Sequence, residues 1–196
     1  MTKRLIDIIG AVCGLLFIAP FFPFIALAIK LEDRGPVLVK LDRISKRRVM
    51  KVYKFRSMVK GASEMKKNLS HLNERKDGPF FKIKDDPRLT RVGKILRKLR
   101  VDEFPQFWNV LKGELSLVGP RPHEPEEVAK YPPEYKFIAD AKAGVTGLSQ
   151  VSGASGLPYL KELELDAHYL AHKSLRLDIK LLFKSVWVFF SDPTGV

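Results

Sequence analysis

Ile8-Ile-Gly-Ala-Val-Cys-Gly-Leu-Leu-Phe-Ile-Ala-Pro-Phe-Phe-Pro-Phe-Ile-Ala-Leu-Ala-Ile29 carries no charged or strongly polar side chain. At about 1.5 Å per residue, a straight helix of this length just covers a hydrocarbon core of about 30 Å. Two features oppose a straight crossing. Pro20 and Pro23 lie mid-segment, where each removes a backbone donor and collides with the preceding turn. Both flanks are basic as well: Lys3 and Arg4 before, and Lys30, Arg34, Lys40 and Arg43 after. A crossing segment would leave one of them on the wrong side of the membrane. A bent hairpin that enters and leaves on the cytoplasmic side satisfies both. Asp7, at its entrance, is expected at the interface and paired with Arg4. Three other readings stand beside the hairpin: a simple spanning anchor, a buried core helix, and a cleaved signal peptide, for which no small-x-small site follows the apolar run.

Outward from this segment, the 196 residues suffice for one domain with a real core. The formal net charge of +13 favours anionic partners: phosphorylated substrates, an anionic membrane surface or nucleic acid. Cys13 is the single cysteine, so no intrachain disulfide forms. Val37 to Val39 and Val49 to Phe55 read as short strands around a basic turn, Lys46-Arg47-Arg48. Gly61 to Glu74 reads as a polar helix and Lys76 to Pro87 as a loop. Val92, Ile95, Leu96 and Leu99 predict a helix over Thr90 to Arg100, and Pro105 starts the next one. Gly144 to Gly147 reads as a turn. Leu160 to Phe190 reads as two helical pieces, the second amphipathic and suited to a membrane surface.

Asp102-Glu103 is the chemical centre of this map. Two adjacent carboxylates lie among Arg97, Lys98, Arg100 and, in a stiff Gly-Pro-Arg-Pro turn, Arg121. Phosphoryl transfer needs charge neutralisation, a metal, and a nucleophile or positioned acceptor. Mg²⁺ takes one or two protein carboxylates plus substrate phosphate, which Asp102 or Glu103 can supply. Arg121 offers a fixed fork to phosphate oxygens. Lys54 and Arg56 alternate with aromatics and project to one face, within reach of the same site. A carboxylate can also accept a phosphoryl group covalently. The pair's position at or just before a helix N-terminus favours bound anions. The bland alternative is a surface or capping pair. His168 and His172 are four apart without a HExxH pattern, and they and His123 read as surface histidines.

DEFPQFWNVLKGELSLVGPRP, VYKFRSM and DDPRLTRVGKILRK resemble the bacterial sugar transferases that are monotopic phosphoglycosyl transferases. The resemblance runs from Arg4-Leu-Ile-Asp7 through Gly144-Val-Thr-Gly-Leu-Ser-Gln-Val151. It implies transfer of sugar-1-phosphate from a UDP-sugar to undecaprenyl phosphate with release of UMP, through a phosphosugar bound to Asp102, with Mg²⁺. It assigns Asp102 as nucleophile and Mg²⁺ contact and Glu103 as support for metal or nucleophile. Lys54, Arg97 and Arg121 become phosphate binders, and Pro20 the break in a re-entrant helix that enters one leaflet. The expected fold is therefore α+β, mainly helical and monotopic, with a few short strands and amphipathic interfacial helices. It forms a single domain, residues 1–196, with a re-entrant helix over 1–30 and a catalytic part over 31–196 on the cytoplasmic face of the bacterial inner membrane. The amphipathic C-terminal helix would also suit a homodimer.

The sequence departs from the family pattern in places. Ala19 replaces a Ser before the helix-breaking Pro. Leu41 and Ser45 replace the ends of Gln-x-Arg-x-Gly. Ala143 replaces a Pro, and Ala154 an Arg. Two other classes compete. A nucleic-acid binder fits the charge, but the cations interleave with carboxylates and no nucleic-acid motif occurs, so nucleic acid is not an expected partner. A catalytically degenerate membrane scaffold fits the departures.

Overall fold

The computed structural model describes residues 2–153 and 156–191; Ala154 lies outside them. The chain opens with α1 (Thr2–Ile18) and α2 (Phe22–Asp33), bent by 61° at the break. Among the described residues no single helix is long and apolar enough to cross a membrane. Pro20 has no N–H to continue the ladder, and the chain turns there: Phe21 donates to the Ile18 carbonyl and Phe22 to the Ala19 carbonyl. Pro23 then falls in the first turn of α2, where its missing N–H costs nothing. Ala19 itself donates in regular register to the Leu15 carbonyl, 3.0 Å away.

The helix α1 is not a free anchor. Asp7 and Ala11 are buried, and α1 packs on the centre of the fold. A Cβ on Gly14 would come within 2.6 Å of the Phe107 ring, and one on Gly10 would strike Leu117, so glycine permits this approach. The expected interfacial Asp7–Arg4 pair does not form. Asp7 turns inward and accepts from Ser116 Oγ at 2.7 Å and the Leu117 N–H at 2.9 Å. Arg4 donates instead to the Val110 and Leu111 carbonyls at 2.6 and 2.7 Å. These lie in the last turn of a helix, where cations are favoured.

Strands β1 (Leu38–Ser45) and β2 (Arg48–Phe55) form an antiparallel hairpin longer than the first predicted strand. Its two-residue turn, Lys46-Arg47, takes left-handed φ values of 53° and 57°. The Lys46 and Arg47 N–H groups bond to the Ala141 and Ala139 carbonyls, which offsets the strain. The predicted polar helix is shorter, α3 (Ala62–Asn68), followed by a 3-10 turn at Ser70–Leu72. Thr90 caps α4 (Arg91–Lys98), its hydroxyl accepting from Gly93 at 2.8 Å. A 3-10 turn, Val101–Glu103, leads into α5 (Gln106–Lys112), with Pro105 as its N-cap. The buried Asn109 of α5 acts as a surrogate strand for β2. It accepts from the Tyr53 N–H and donates to the Lys51 carbonyl.

Short β3 (Ser116–Val118) leads to α6 (Pro125–Val128) and a 3-10 stretch, Pro133–Asp140. The predicted turn at Gly144 is instead a strand, β4 (Gly144–Thr146), parallel to β3. The turn signal at its two glycines has another cause: the backbones of Gly119 and Gly144 pass too close for any side chain. Helices α7 (Leu148–Val151), α8 (Tyr159–His172) and α9 (Leu175–Ser191) complete the fold. The main core gathers Ala11, Val52, Val110, Leu117, Tyr169 and Leu181 from six elements, with Leu115 from the loop before β3. Two departures from the family pattern meet here. The Ala143 N–H, which a proline would lack, donates to Ser45 Oγ at 3.1 Å, and that hydroxyl, which a glycine would lack, donates to the Glu114 carbonyl at 3.0 Å.

Candidate active site

The 3-10 turn after α4 sets Asp102 and Glu103 beside β2. Arg100 enters it in the left-handed conformation, φ 51°, reversing the chain so that both carboxyls face the hairpin. Asp102 is buried and Glu103 half-buried. Lys54 projects from β2 between them, its Nζ 2.5 Å from Glu103 Oε1 and 3.9 Å from Asp102 Oδ2. The pair lies on its own turn rather than in the helix that follows.

The two carboxyls are electrostatically unlike. Burial pushes the Asp102 carboxyl up, and the adjacent Glu103 charge adds to this, against the pull of Lys54 and Arg97. Burial acts on Glu103 in the same direction, but Lys54, Arg121 and Arg100 outweigh it and hold that carboxylate well below its usual range. Thus Lys54, Arg97 and Arg121, the three cations singled out in the sequence, all act on the Asp-Glu pair. Arg97 is fixed by donating from Nε to Ser57 Oγ at 3.0 Å.

Arg56 does not join them. It is buried and bonds to the Asp33 carboxylate at 3.0 Å and to the Asp33 carbonyl at 2.6 Å, locking the end of α2 to the hairpin. Glu32, beside it, accepts from the Arg91 and Val92 N–H groups at 2.6 and 2.9 Å, tying the same end to α4.

Behind the Gly-Pro-Arg-Pro loop lies a polar network that sequence reasoning missed. Asp166 of α8 accepts from the Arg121 N–H at 3.1 Å and from Ser149 Oγ at 2.7 Å. Glu162, one helical turn earlier, lies 3.8 Å from Arg121 Nε, 3.7 Å from Arg75 Nη1 and 3.3 Å from His123 Nε2. His123 is buried, contrary to its reading as a surface residue, and its other ring nitrogen bonds to the Tyr131 hydroxyl. Burial raises the Asp166 carboxyl to about 6. For Glu162 burial pushes the same way, but His123 and Arg121 outweigh it and lower that carboxyl. The signal available in the sequence was Glu162 and Asp166 at i, i+4 on the face that also carries Leu163 and Tyr159. His168 and His172 are exposed on α8, their tilted rings 4.2 Å apart between centroids.

The donor set at Asp102 and Glu103 is two carboxylates, both offering hard oxygens. Among the described residues no group of three or more His, Cys, Asp or Glu converges. The residues therefore fit a Mg²⁺ shared with substrate phosphates, not one caged by protein alone.

The model of the family described as bacterial sugar transferase matches residues 1–192. The chain is similar to the galactosyl transferase CpsE of Streptococcus agalactiae serotype III, with 40% identity over 190 residues, 96% of this chain and 42% of that protein. It is 37% identical over 193 residues to the undecaprenyl-phosphate galactose phosphotransferase of Salmonella typhimurium, covering 95% of this chain and 40% of that protein. It is 33% identical over 190 residues to the exopolysaccharide production protein ExoY of Sinorhizobium fredii, covering 95% and 84%. The chain thus spans less than half the length of the first two relatives and most of the third.

Proposed function

The chain belongs to the bacterial sugar transferase family, and from that premise we propose that it moves sugar-1-phosphate from a UDP-sugar to undecaprenyl phosphate, releasing UMP. The observation that carries this reading is the Asp102–Glu103 pair with Lys54 Nζ set between the two carboxyls and Arg97 and Arg121 acting on the same pair. An Asp102 oxygen attacks the donor phosphorus that bears the sugar. A P–O bond forms to the carboxylate as the P–O bond to UMP breaks, and the bridging oxygen leaves with UMP. A phosphate oxygen of the lipid then attacks the same phosphorus, which frees Asp102 and gives the lipid diphosphate-sugar.

Lys54 and Arg121 neutralise the diphosphate and stabilise charge on the transferring group. Glu103 holds Lys54 in place before the donor arrives. Asp102 and Glu103 would hold Mg²⁺ together with the donor phosphates, and the ion supplies further charge neutralisation. The similarity to an undecaprenyl-phosphate galactose phosphotransferase supports the substrate class.

The same reading puts the protein on the cytoplasmic face of the inner membrane. Leu16, Phe17, Phe21, Phe24, Leu27 and Leu31 of the bent pair are exposed, as are Phe183, Val186 and Trp187 of α9. So much exposed apolar surface is costly in water and fits hydrocarbon. The test is UMP release by detergent-solubilised protein given undecaprenyl phosphate, Mg²⁺ and a panel of UDP-sugars. Asp102→Asn is expected to lower release by about a thousandfold or more. Wild-type-like turnover in that variant would refute the covalent step.

A further inference from the structure

An apolar groove of about 290 Å³ is lined by residues that neighbour, in sequence, the carboxylate pair and Lys54. Ile18 and Phe22, on either side of the Pro20 bend, form one wall, and Pro105 and Trp108 another. Tyr53 and Phe55 of β2 lie between them, with the Phe22 and Phe55 rings 5.7 Å apart. The bend therefore does more than turn the chain: it lays the start of α2 against the hairpin and closes this slot.

What the groove holds follows from its chemistry and its neighbours. Its lining side chains are apolar apart from the Tyr53 hydroxyl, so a sugar or nucleotide would lose water there without gaining partners. Its volume lies at the lower edge of the roughly 300–1,000 Å³ that holds a whole small ligand, so it suits a short length of hydrocarbon. Trp108 of its lining, and Phe17 and Phe21 at the same bend, are exposed, so the surface around the groove is apolar as well. The groove's lining is continuous along the chain with the active-site segments. Pro105 lies two residues past Glu103, and Lys54 stands between Tyr53 and Phe55 on β2 with its side chain on the opposite face of the strand.

We propose that this groove seats the phosphate-proximal isoprene units of the lipid acceptor, whose phosphate reaches Lys54 across the 103–105 rim. The assignment rests on the reaction proposed above. The long remainder of the chain stays in the bilayer. Donor and acceptor then approach the carboxylate pair from different sides, as two successive displacements at one phosphorus require.

The test uses the full chain in detergent. Leu38 lines the groove from the edge strand β1 and is itself exposed, so Leu38→Trp fills the slot without disturbing the core. This variant is expected to raise KM for undecaprenyl phosphate about tenfold or more, while the burst of UMP formed without acceptor persists. Val49→Trp, on the exposed far end of β2, controls for an added indole and behaves as wild type. Trp108 gives a readout independent of turnover. In a Trp187→Phe background its emission is expected to shift blue, saturably, with farnesyl phosphate, and not with inorganic phosphate or with phosphatidylglycerol vesicles. An unchanged acceptor KM in Leu38→Trp overturns the proposal. So does an equal shift with phospholipid alone, which would make the groove a site for any acyl chain. A saturable farnesyl phosphate shift in protein that releases no UMP from any donor would sustain the groove and sink the reaction.

Discussion

Ser45 and Ala143 stand where the family pattern has Gly and Pro, and their hydrogen bond makes a sharp prediction. Both residues are buried, and the Ala143 N–H has Ser45 Oγ as its partner. Ser45→Gly alone orphans that N–H and strips the donor from the Glu114 carbonyl. Leaving a buried polar group unpaired costs about 1–3 kcal/mol, and glycine in a strand adds about 0.5–1. The expected loss is about 2–4 kcal/mol. At about 2–4 °C per kcal/mol for a chain of this size, Tm falls by roughly 10 °C. Ala143→Pro alone removes the N–H itself. It loses one hydrogen bond of about 1 kcal/mol but recovers about 0.4–1 through the stiffer unfolded chain, so it is near neutral. In the Ala143→Pro background, Ser45→Gly orphans no N–H, and its cost drops by about 1–2 kcal/mol. Thermal and urea unfolding of the four proteins in one detergent measures the cycle. If Ser45→Gly costs the same in both backgrounds, within about 0.5 kcal/mol, the two departures are independent and the reasoning is refuted.

Three further outcomes are expected. Asp7→Ala orphans the buried Ser116 hydroxyl and Leu117 N–H, so it should destabilise the whole domain by about 3–5 kcal/mol; a loss under about 1 kcal/mol in a melt would mean that α1 is only loosely docked. Asp166 binds its proton more tightly when folded than the ordinary 3.8 of an unfolded Asp allows, so it subtracts stability as pH rises from about 4 to about 6, by roughly 3 kcal/mol at most. Tm measured against pH should therefore fall less steeply across that window in Asp166→Asn, and parallel profiles would rule the effect out. Pro20→Leu restores the missing N–H and lets α1 run on toward α2, so acceptor turnover should drop several-fold while the protein stays membrane-bound; unchanged turnover would show that the bend is incidental.

The parts legible in sequence were those with a local signature. Pro20 and Pro23 announced the bend and Thr90 the start of α4, and the Asp102–Glu103 pair, expected among cations, does lie under the influence of Lys54, Arg97 and Arg121. What stayed hidden depends on partners far along the chain. Asp7 meets Ser116, 109 residues away, and nothing near Asp7 distinguishes a buried acceptor from an interfacial one. Arg56 has the spacing of a phosphate ligand, yet Asp33 claims it. Asn109 looks like a polar interruption of an apolar helix face until the open edge of β2 is set beside it. In each case the missing information was a long-range hydrogen bond, which composition and periodicity do not encode.

The same long-range bonds bear on the choice between a spanning and a re-entrant helix. A straight span of α1 and α2 would separate Asp7 from Asp33 by about 40 Å, placing them on opposite faces of a bilayer. Here both ends are clamped to one body. Asp7, Arg4 and Lys3 bind β3, α5 and α9, while Asp33 and Glu32 bind Arg56 and the start of α4. Every ionic or charged contact of the pair lies at its two feet, and the apex from Phe17 to Phe24 exposes mainly rings. A polar foot and an apolar apex match the polarity gradient from headgroup to hydrocarbon. One globular body holds both feet, which is the arrangement that the proposed hairpin, entering and leaving by one face, requires. The clamps also hold the Pro20 bend, and the groove it closes, at a fixed position relative to Asp102.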